Sequence, residues 1–138
     1  MLDSMQYRIC ETQAELYEYA AIHGFNVPDF SDTYLKSDFC KRAMDSSYSR
    51  FQLQCPEEIL DFFQYDTIRD SGVSGPVAYW IGFTYRQLAF ETGLPSKDLL
   101  DLYPFSLMLS MYPGMHTQDP EYVGDVLLEN YKKRLNCG

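Results

Sequence analysis

The segment from Pro76 to Phe90 constrains the fold more than any other part of the chain. It reads Pro-Val-Ala-Tyr-Trp-Ile-Gly-Phe-Thr-Tyr-Arg-Gln-Leu-Ala-Phe, and Arg86 is its one formal charge. Val77, Trp80, Ile81, Thr84, Leu88 and Ala89 fall on one helical stripe, and Tyr79, Phe83, Arg86 and Phe90 on an adjoining one. A helix that is apolar around most of its circumference has to be buried. Pro76 suits its first turn, and Gly93 with Pro95 ends it. The pattern predicts a central helix over 76–92 with the rest of the chain packed around it. Arg86 then needs a partner, because an unpaired charge is costly inside a protein. An acid from the first half, stacking on Tyr79 or Trp80, or the carboxylate of another protein would each serve.

The flanking segments also read as helices. Thr12-x-x-Glu15 has the form of a capping box, and Leu16, Tyr19, Ala20 and Ile22 follow at helical spacing up to Gly24. This predicts a first helix over 12–23, after a loose lead-in or short strand over 1–9. Phe25 to Phe30 reads as a loop. A second helix over 32–45 carries Leu35, Phe39, Cys40 and Ala43, and residues 50–54 read as an extended connector. Pro56, Glu57 and Glu58 open a third helix, with acids at its positive end. The loop 70–75, Asp-Ser-Gly-Val-Ser-Gly, joins two halves of one domain. Beyond 92 the pattern gives a helix over 96–103 capped by Ser96, a helical turn from Phe105, a turn at Tyr112-Pro113-Gly114, and a last helix over 120–135 capped by Asp119. The predicted fold is all-α: a compact single-domain bundle of six or seven short helices spanning 1–138.

Charge narrows the partners. The chain carries 20 acids and 11 bases, a net −9 over 138 residues. Residues 1–75 hold 13 acids against 6 bases, and residues 76–138 hold 7 against 5. A surface of this sign repels phosphate backbones, which argues against direct nucleic-acid binding. It suits a basic protein, whose approach the charge would speed, and it also keeps a small protein soluble. No run approaches the roughly 20 apolar residues of a membrane span. The first residues lack the basic and apolar regions of a signal peptide, so the expectation is a cytoplasmic protein. Cys10, Cys40, Cys55 and Cys137 have neither metal-ligand nor CxxC spacing, and with no secretory signal they read as reduced thiols, Cys40 in the core and Cys137 in the tail. No metal site and no cofactor is predicted.

Aromatic usage is high, with 12 Tyr, 9 Phe and 1 Trp. Tyrosine suits wet interfaces, since it offers a rigid face and a polar tip. It equally suits a small core whose rings reach the surface, and both readings stay open here. Glu57, Glu58 and Asp61 read as a solvated helix face. His116 and Thr117 lie in a loop, where a histidine can contact a partner, tie the loop to a helix, or act as a base.

The stretch 94–131 runs from a helix through an apolar turn to Tyr112-Pro113-Gly114-Met115-His116-Thr117 and then an acidic helix. It resembles a family of small, uncharacterised, all-helical bacterial proteins with the pattern Tyr-x-x-Leu-His-Thr. Met115 stands where that family has Leu, and Pro113-Gly114 makes a tighter turn. The segment Ala78 to Arg86 looks like a longer relative of the same group. Genes of this family commonly sit beside those of ADP-ribosyltransferase-like toxins, so the resemblance implies an antitoxin-like or accessory role.

The leading expectation is a non-catalytic protein-binding module, antitoxin-like or regulatory, that neutralises a basic protein such as a toxin of that class. Tyr79, Trp80, Tyr85, Arg86, Tyr112, His116, Thr117 and Asp119 are its predicted contact residues, because binding hot spots favour Trp, Tyr and Arg. One alternative is an acidic phage-type inhibitor that mimics nucleic acid. Another is a small enzyme using His116 with Thr117 and Arg86.

Overall fold

Nine consecutive residues of the central segment, Ile81 to Ala89, are buried. The computed structural model describes residues 2–137, with side chains over 2–133. Among these the chain forms α1 (Ser4–Ile22), α2 (Val27–Leu35), a π-helical turn (Cys40–Met44), a 3₁₀ turn (Arg50–Leu53), α3 (Pro56–Leu60), α4 (Gly75–Thr92), α5 (Ser96–Leu102), α6 (Phe105–Met115) and α7 (Pro120–Cys137). The architecture is all-α, and α4 lies at its centre as its composition requires. α1 is the main partner of α4, and α5, α6 and α7 close over it from other sides. One continuous core draws on both halves of the chain, from Ile9 to Leu127. Among the described residues no helix is long and apolar enough to cross a membrane.

The close approach of α1 and α4 depends on Gly82. A β-carbon there would stand 2.7 Å from Cγ of Tyr17 and 2.9 Å from the Gln13 carbonyl oxygen. In place of a side chain, the amide of Gln13 donates to the Gly82 carbonyl at 2.9 Å. Glycines also stop α1 and α4. Gly24 follows α1 with φ 76° and Gly93 follows α4 with φ 74°, left-handed values that a β-carbon disfavours.

Phe30 centres the core of the first half. Its ring packs against those of Tyr17, Phe25, Tyr34, Phe63 and Tyr65 at centroid separations of 5.2 to 6.0 Å. Tyr17, Tyr34, Tyr85 and Tyr103 are essentially inaccessible. Burial pushes the phenols of Tyr17, Tyr34 and Tyr85 well up from their ordinary range. A large share of the tyrosine excess is therefore core.

Several expected boundaries move. α1 begins at Ser4 rather than 12, because Asp3 and Gln6 form the capping box: the Asp3 carboxylate accepts from the Gln6 amide at 2.7 Å and Gln6 reciprocates at 3.1 Å. The lead-in over 1–9 is thus mostly helix, and the Thr12 hydroxyl donates to the Arg8 carbonyl instead of capping. The expected loop at 25–30 holds the start of α2. Asn26 caps that helix and Pro28 sits in its first turn, where its missing N–H costs nothing. The expected helix over 32–45 is broken after Leu35, and its second part becomes the π-helical turn. Residues 50–53 wind into a 3₁₀ turn capped by Ser49 and Gln52, not an extended connector. The turn expected at Tyr112-Pro113-Gly114 is the last turn of α6, and Pro113 and Gly114 are exposed there. Cys10, Cys40 and Cys55 are free thiols, with Cys40 in the core. The side chain of Cys137 lies outside the described residues.

These glycines give a paired expectation. Gly82→Ala overpacks the α1–α4 seam and lowers stability by about 1–3 kcal/mol. Gly114→Ala, where an added methyl meets nothing within 4 Å, is neutral or stabilises by up to about 1 kcal/mol. Urea unfolding monitored by circular dichroism separates them, and equal midpoints would contradict the seam.

Candidate functional site

Three faces of α4 have three different fates. Tyr85 points into the core and donates from its hydroxyl to the Tyr103 carbonyl at 2.6 Å. Arg86 lies about a quarter turn away and is 1% exposed. Its guanidinium donates to Oε1 of Gln13 from Nε at 3.0 Å and from Nη2 at 2.9 Å. Nη1 reaches the Met44 carbonyl at 3.2 Å and Oδ1 of Asp45 at 2.8 Å. Nη2 also meets Oγ of Ser96 at 2.9 Å and Sγ of Cys40 at 3.4 Å. Asp45 in turn accepts from the backbone N–H and the hydroxyl of Ser96 at 3.0 and 2.6 Å. Burial works against the arginine's charge, but contacts headed by Cys40, Tyr34 and Asp45 outweigh it and hold its pKa above the ordinary value. Of the partners that were open for Arg86, an acid from the first half is the one it has. Ser96, expected as a cap, spends its hydroxyl on this network, and α5 starts after Pro95.

The face of α4 roughly opposite Tyr85 borders a cleft of about 500 Å³. α4 supplies Pro76, Tyr79, Trp80, Phe83, Thr84 and Gln87, and α1 supplies Tyr7 and Glu18. Tyr112 comes from α6, His116 and Gln118 from the connection that follows, and Pro120 and Val123 from α7. Tyr112 and Trp80 pack edge to face at 5.9 Å, and Tyr112 stacks on His116 at 4.1 Å. His116 Nδ1 lies 2.7 Å from the Tyr112 carbonyl, which fixes the imidazole on that ring. Tyr7 meets Phe83 edge-on at 5.1 Å across the α1–α4 seam. Six aromatic rings thus border one cavity, and Glu18 is its one carboxylate. Partial burial raises the phenol pKa of Tyr79, and the nearby Glu11, Glu15 and Glu18 raise it further.

The α7 wall is held by a second seam. Gln87 donates to the Pro120 carbonyl at 2.6 Å. Gly124 leaves room for the ends of Gln87 and Glu91, where a β-carbon would collide with both. Oε2 of Glu91 is buried there without a hydrogen bond to any described residue, and burial raises that carboxyl's pKa.

Four of the eight predicted contact residues, Tyr79, Trp80, Tyr112 and His116, therefore line one cavity. Thr117 and Asp119 lie beside it, exposed and outside its lining. The Asp119 carboxylate caps α7 by accepting from the Glu121 N–H at 2.8 Å. Tyr85 and Arg86 are corrections: both are enclosed and bonded internally, so neither offers a surface to a partner. The expected trio of His116, Thr117 and Arg86 does not converge either, because Arg86 is sealed in its own network. Phe83 was read on the stripe of Tyr79 but not as a contact residue, and Tyr7 and Glu18 went unrecognised in sequence, since only the α1–α4 packing brings those two to the cleft.

A larger groove of about 780 Å³ borders Arg86, Asp45, Ala89 and Gly93. Its central polar pair, Arg86 and Asp45, is already engaged within the network. The aromatic cleft is the better candidate, because the Glu18 carboxylate makes no hydrogen bond or ion pair with any described residue. Among the described residues no group of three His, Cys, Asp or Glu side chains converges as metal ligands would. Comparisons with protein-family models, curated proteins and solved structures return no match.

The two classes of residue on α4 separate by stability. Arg86→Met strands Asp45 and lowers stability by about 3–5 kcal/mol. Tyr85→Phe costs about 1–2 kcal/mol through the lost bond to Tyr103. Tyr112→Ala, on the cleft rim, costs less than Arg86→Met. Denaturant unfolding of the three variants checks this order, and a Tyr112→Ala loss larger than that of Arg86→Met would contradict it.

Glu91 gives a pH dependence. Its folded pKa lies above the ordinary 4.5, so its stabilising contribution is complete below about 4.5 and is lost as pH rises through the raised value. Glu91→Gln is therefore more stable than the natural protein at pH 7, and the difference shrinks toward pH 4. Thermal unfolding of both proteins across this range tests the sign.

Proposed function

We propose that this protein is a non-catalytic protein-binding module that holds a basic protein partner at the aromatic cleft. The observation that carries the reading is the convergence of Tyr79, Trp80, Tyr112 and His116, from three separate elements, on a cavity bordered by a carboxylate that has no ion pair among the described residues. Aromatic anchors in a partly enclosed pocket are the usual source of binding energy at an interface. The net charge of −9 favours encounter with a basic surface. The resemblance of the segment through Tyr112, His116 and Thr117 extends the proposal to an antitoxin-like role, with an ADP-ribosyltransferase-like toxin as the partner.

Affinity capture from host lysate, washed at low and at high salt, tests the reading. The expected result is one stoichiometric basic protein, retained at low salt and released at high salt. Trp80→Ala and Tyr112→Ala lose it by about tenfold or more, while Tyr48→Ala, at an 82% exposed site off the cleft, keeps it. Folding of each variant is checked by circular dichroism. Equal capture by all the proteins would contradict the cleft, and no partner at either salt would contradict the module. The antitoxin extension further requires that the captured protein arrest growth when expressed alone and not when co-expressed with this chain.

A further inference from the structure

We propose that the group seated in the aromatic cleft is an arginine side chain of the partner, held between aromatic faces with Glu18 as its counter-charge. The inference rests on the protein-binding reading and names the chemistry of its occupant. Tyr7, Tyr79, Trp80, Phe83, Tyr112 and His116 surround the cavity. Aromatic faces carry negative potential and attract organic cations, most strongly where water is partly excluded.

The distribution of charge points the same way. Glu11 and Glu15 are tied to Arg8, with oxygen–nitrogen distances of 3.7 and 2.9 Å. Glu18, one turn further along α1, has no cation within the described residues, yet it is half-buried at the cleft. A carboxylate in that position is left to be completed by a cation from outside. Among the described residues no Lys or Arg lines the cavity to compete for it. Among biological cations, guanidinium is planar, weakly hydrated and able to stack on a ring while bonding a carboxylate, whereas an ammonium is a compact, strongly hydrated point charge. A cavity of about 500 Å³ also has room for the arginine stem.

Trp80, the one tryptophan of the chain, lies in the cleft and reports directly on its occupancy. The test titrates the full chain with a short Gly/Ser peptide carrying one arginine, its neutral citrulline counterpart and a lysine counterpart, and also with tetramethylammonium chloride. Trp80 fluorescence and the indole N–H signal in NMR give the readout. The arginine peptide is expected to shift Trp80 saturably and to bind about tenfold tighter than the citrulline peptide, with lysine between them. Glu18→Gln removes most of that preference. Glu57→Gln, which deletes an exposed acid off the cleft, leaves it intact.

Equal binding of arginine and citrulline peptides, or no Trp80 response to either, overturns the inference. So does a Glu57→Gln effect as large as that of Glu18→Gln, since bulk charge would then be the cause. Tighter binding of lysine, or binding of tetramethylammonium without the arginine peptide, overturns the choice of arginine. Partner capture that still depends on Trp80 and Tyr112, with no cation preference, would leave the protein-binding reading standing and remove this one alone.

Discussion

The buried guanidinium of Arg86 is the interaction on which the rest of the structure depends. It gathers Gln13 from α1, the Met44 carbonyl and Asp45 from the end of the π-helical turn, and Ser96 from the start of α5. Tyr34 of α2 joins through Oε1 of Gln13, to which its hydroxyl donates at 3.0 Å. Five stretches of chain thus meet at one side chain that cannot shed its charge. Its donors are engaged, which is the condition for a buried charge to be tolerated. The π-helical turn is the local adjustment that sets Met44 and Asp45 against the guanidinium. A regular continuation of α2 would have carried them elsewhere.

This arrangement divides labour around α4. Gly82 and Tyr85 face the α1 seam and the core, and Arg86 anchors the network on an adjoining face. The remaining face, with Tyr79, Trp80 and Phe83, is free to border a cavity because the others already hold the helix. Rigid placement matters for such a site, since rings on a fixed helix lose little conformational freedom when a ligand arrives. The aromatic excess serves two purposes accordingly. One set of rings, centred on Phe30, fills the first half of the core, and another surrounds the cleft.

What was legible in the sequence follows from how local each signal is. The central helix, its glycine stop and the all-α class could be read because periodicity, Pro76 and Gly93 all lie within one stretch. Asp119 could be read as a cap for the same reason. The need of Arg86 for a partner was also visible, but not that Asp45 would meet it, because the chain between them is long and the π-helical turn has no periodic signature. The capping box read at Thr12 is not used and the one at Asp3 and Gln6 went unread, because a local pattern does not say where tertiary packing starts a helix. Pro113-Gly114 carries a turn signal that the exposure of α6 overrides. Tyr85 and Arg86 looked like surface anchors by residue type alone, and only their burial assigns them to the fold. Glu18 and Tyr7 belong to the cleft through the close approach at Gly82, which a sequence records merely as a glycine within a helix.

A double-mutant cycle between Arg86 and Asp45 tests the central claim most directly. Arg86→Met, Asp45→Leu and the double variant would be unfolded in urea beside the natural protein. The account predicts that the two losses are strongly non-additive, with the double variant more stable than their sum by about 2 kcal/mol or more, because each single change strands the other charge. Additive losses, or single variants as stable as the natural protein, would contradict a fold organised around this ion pair.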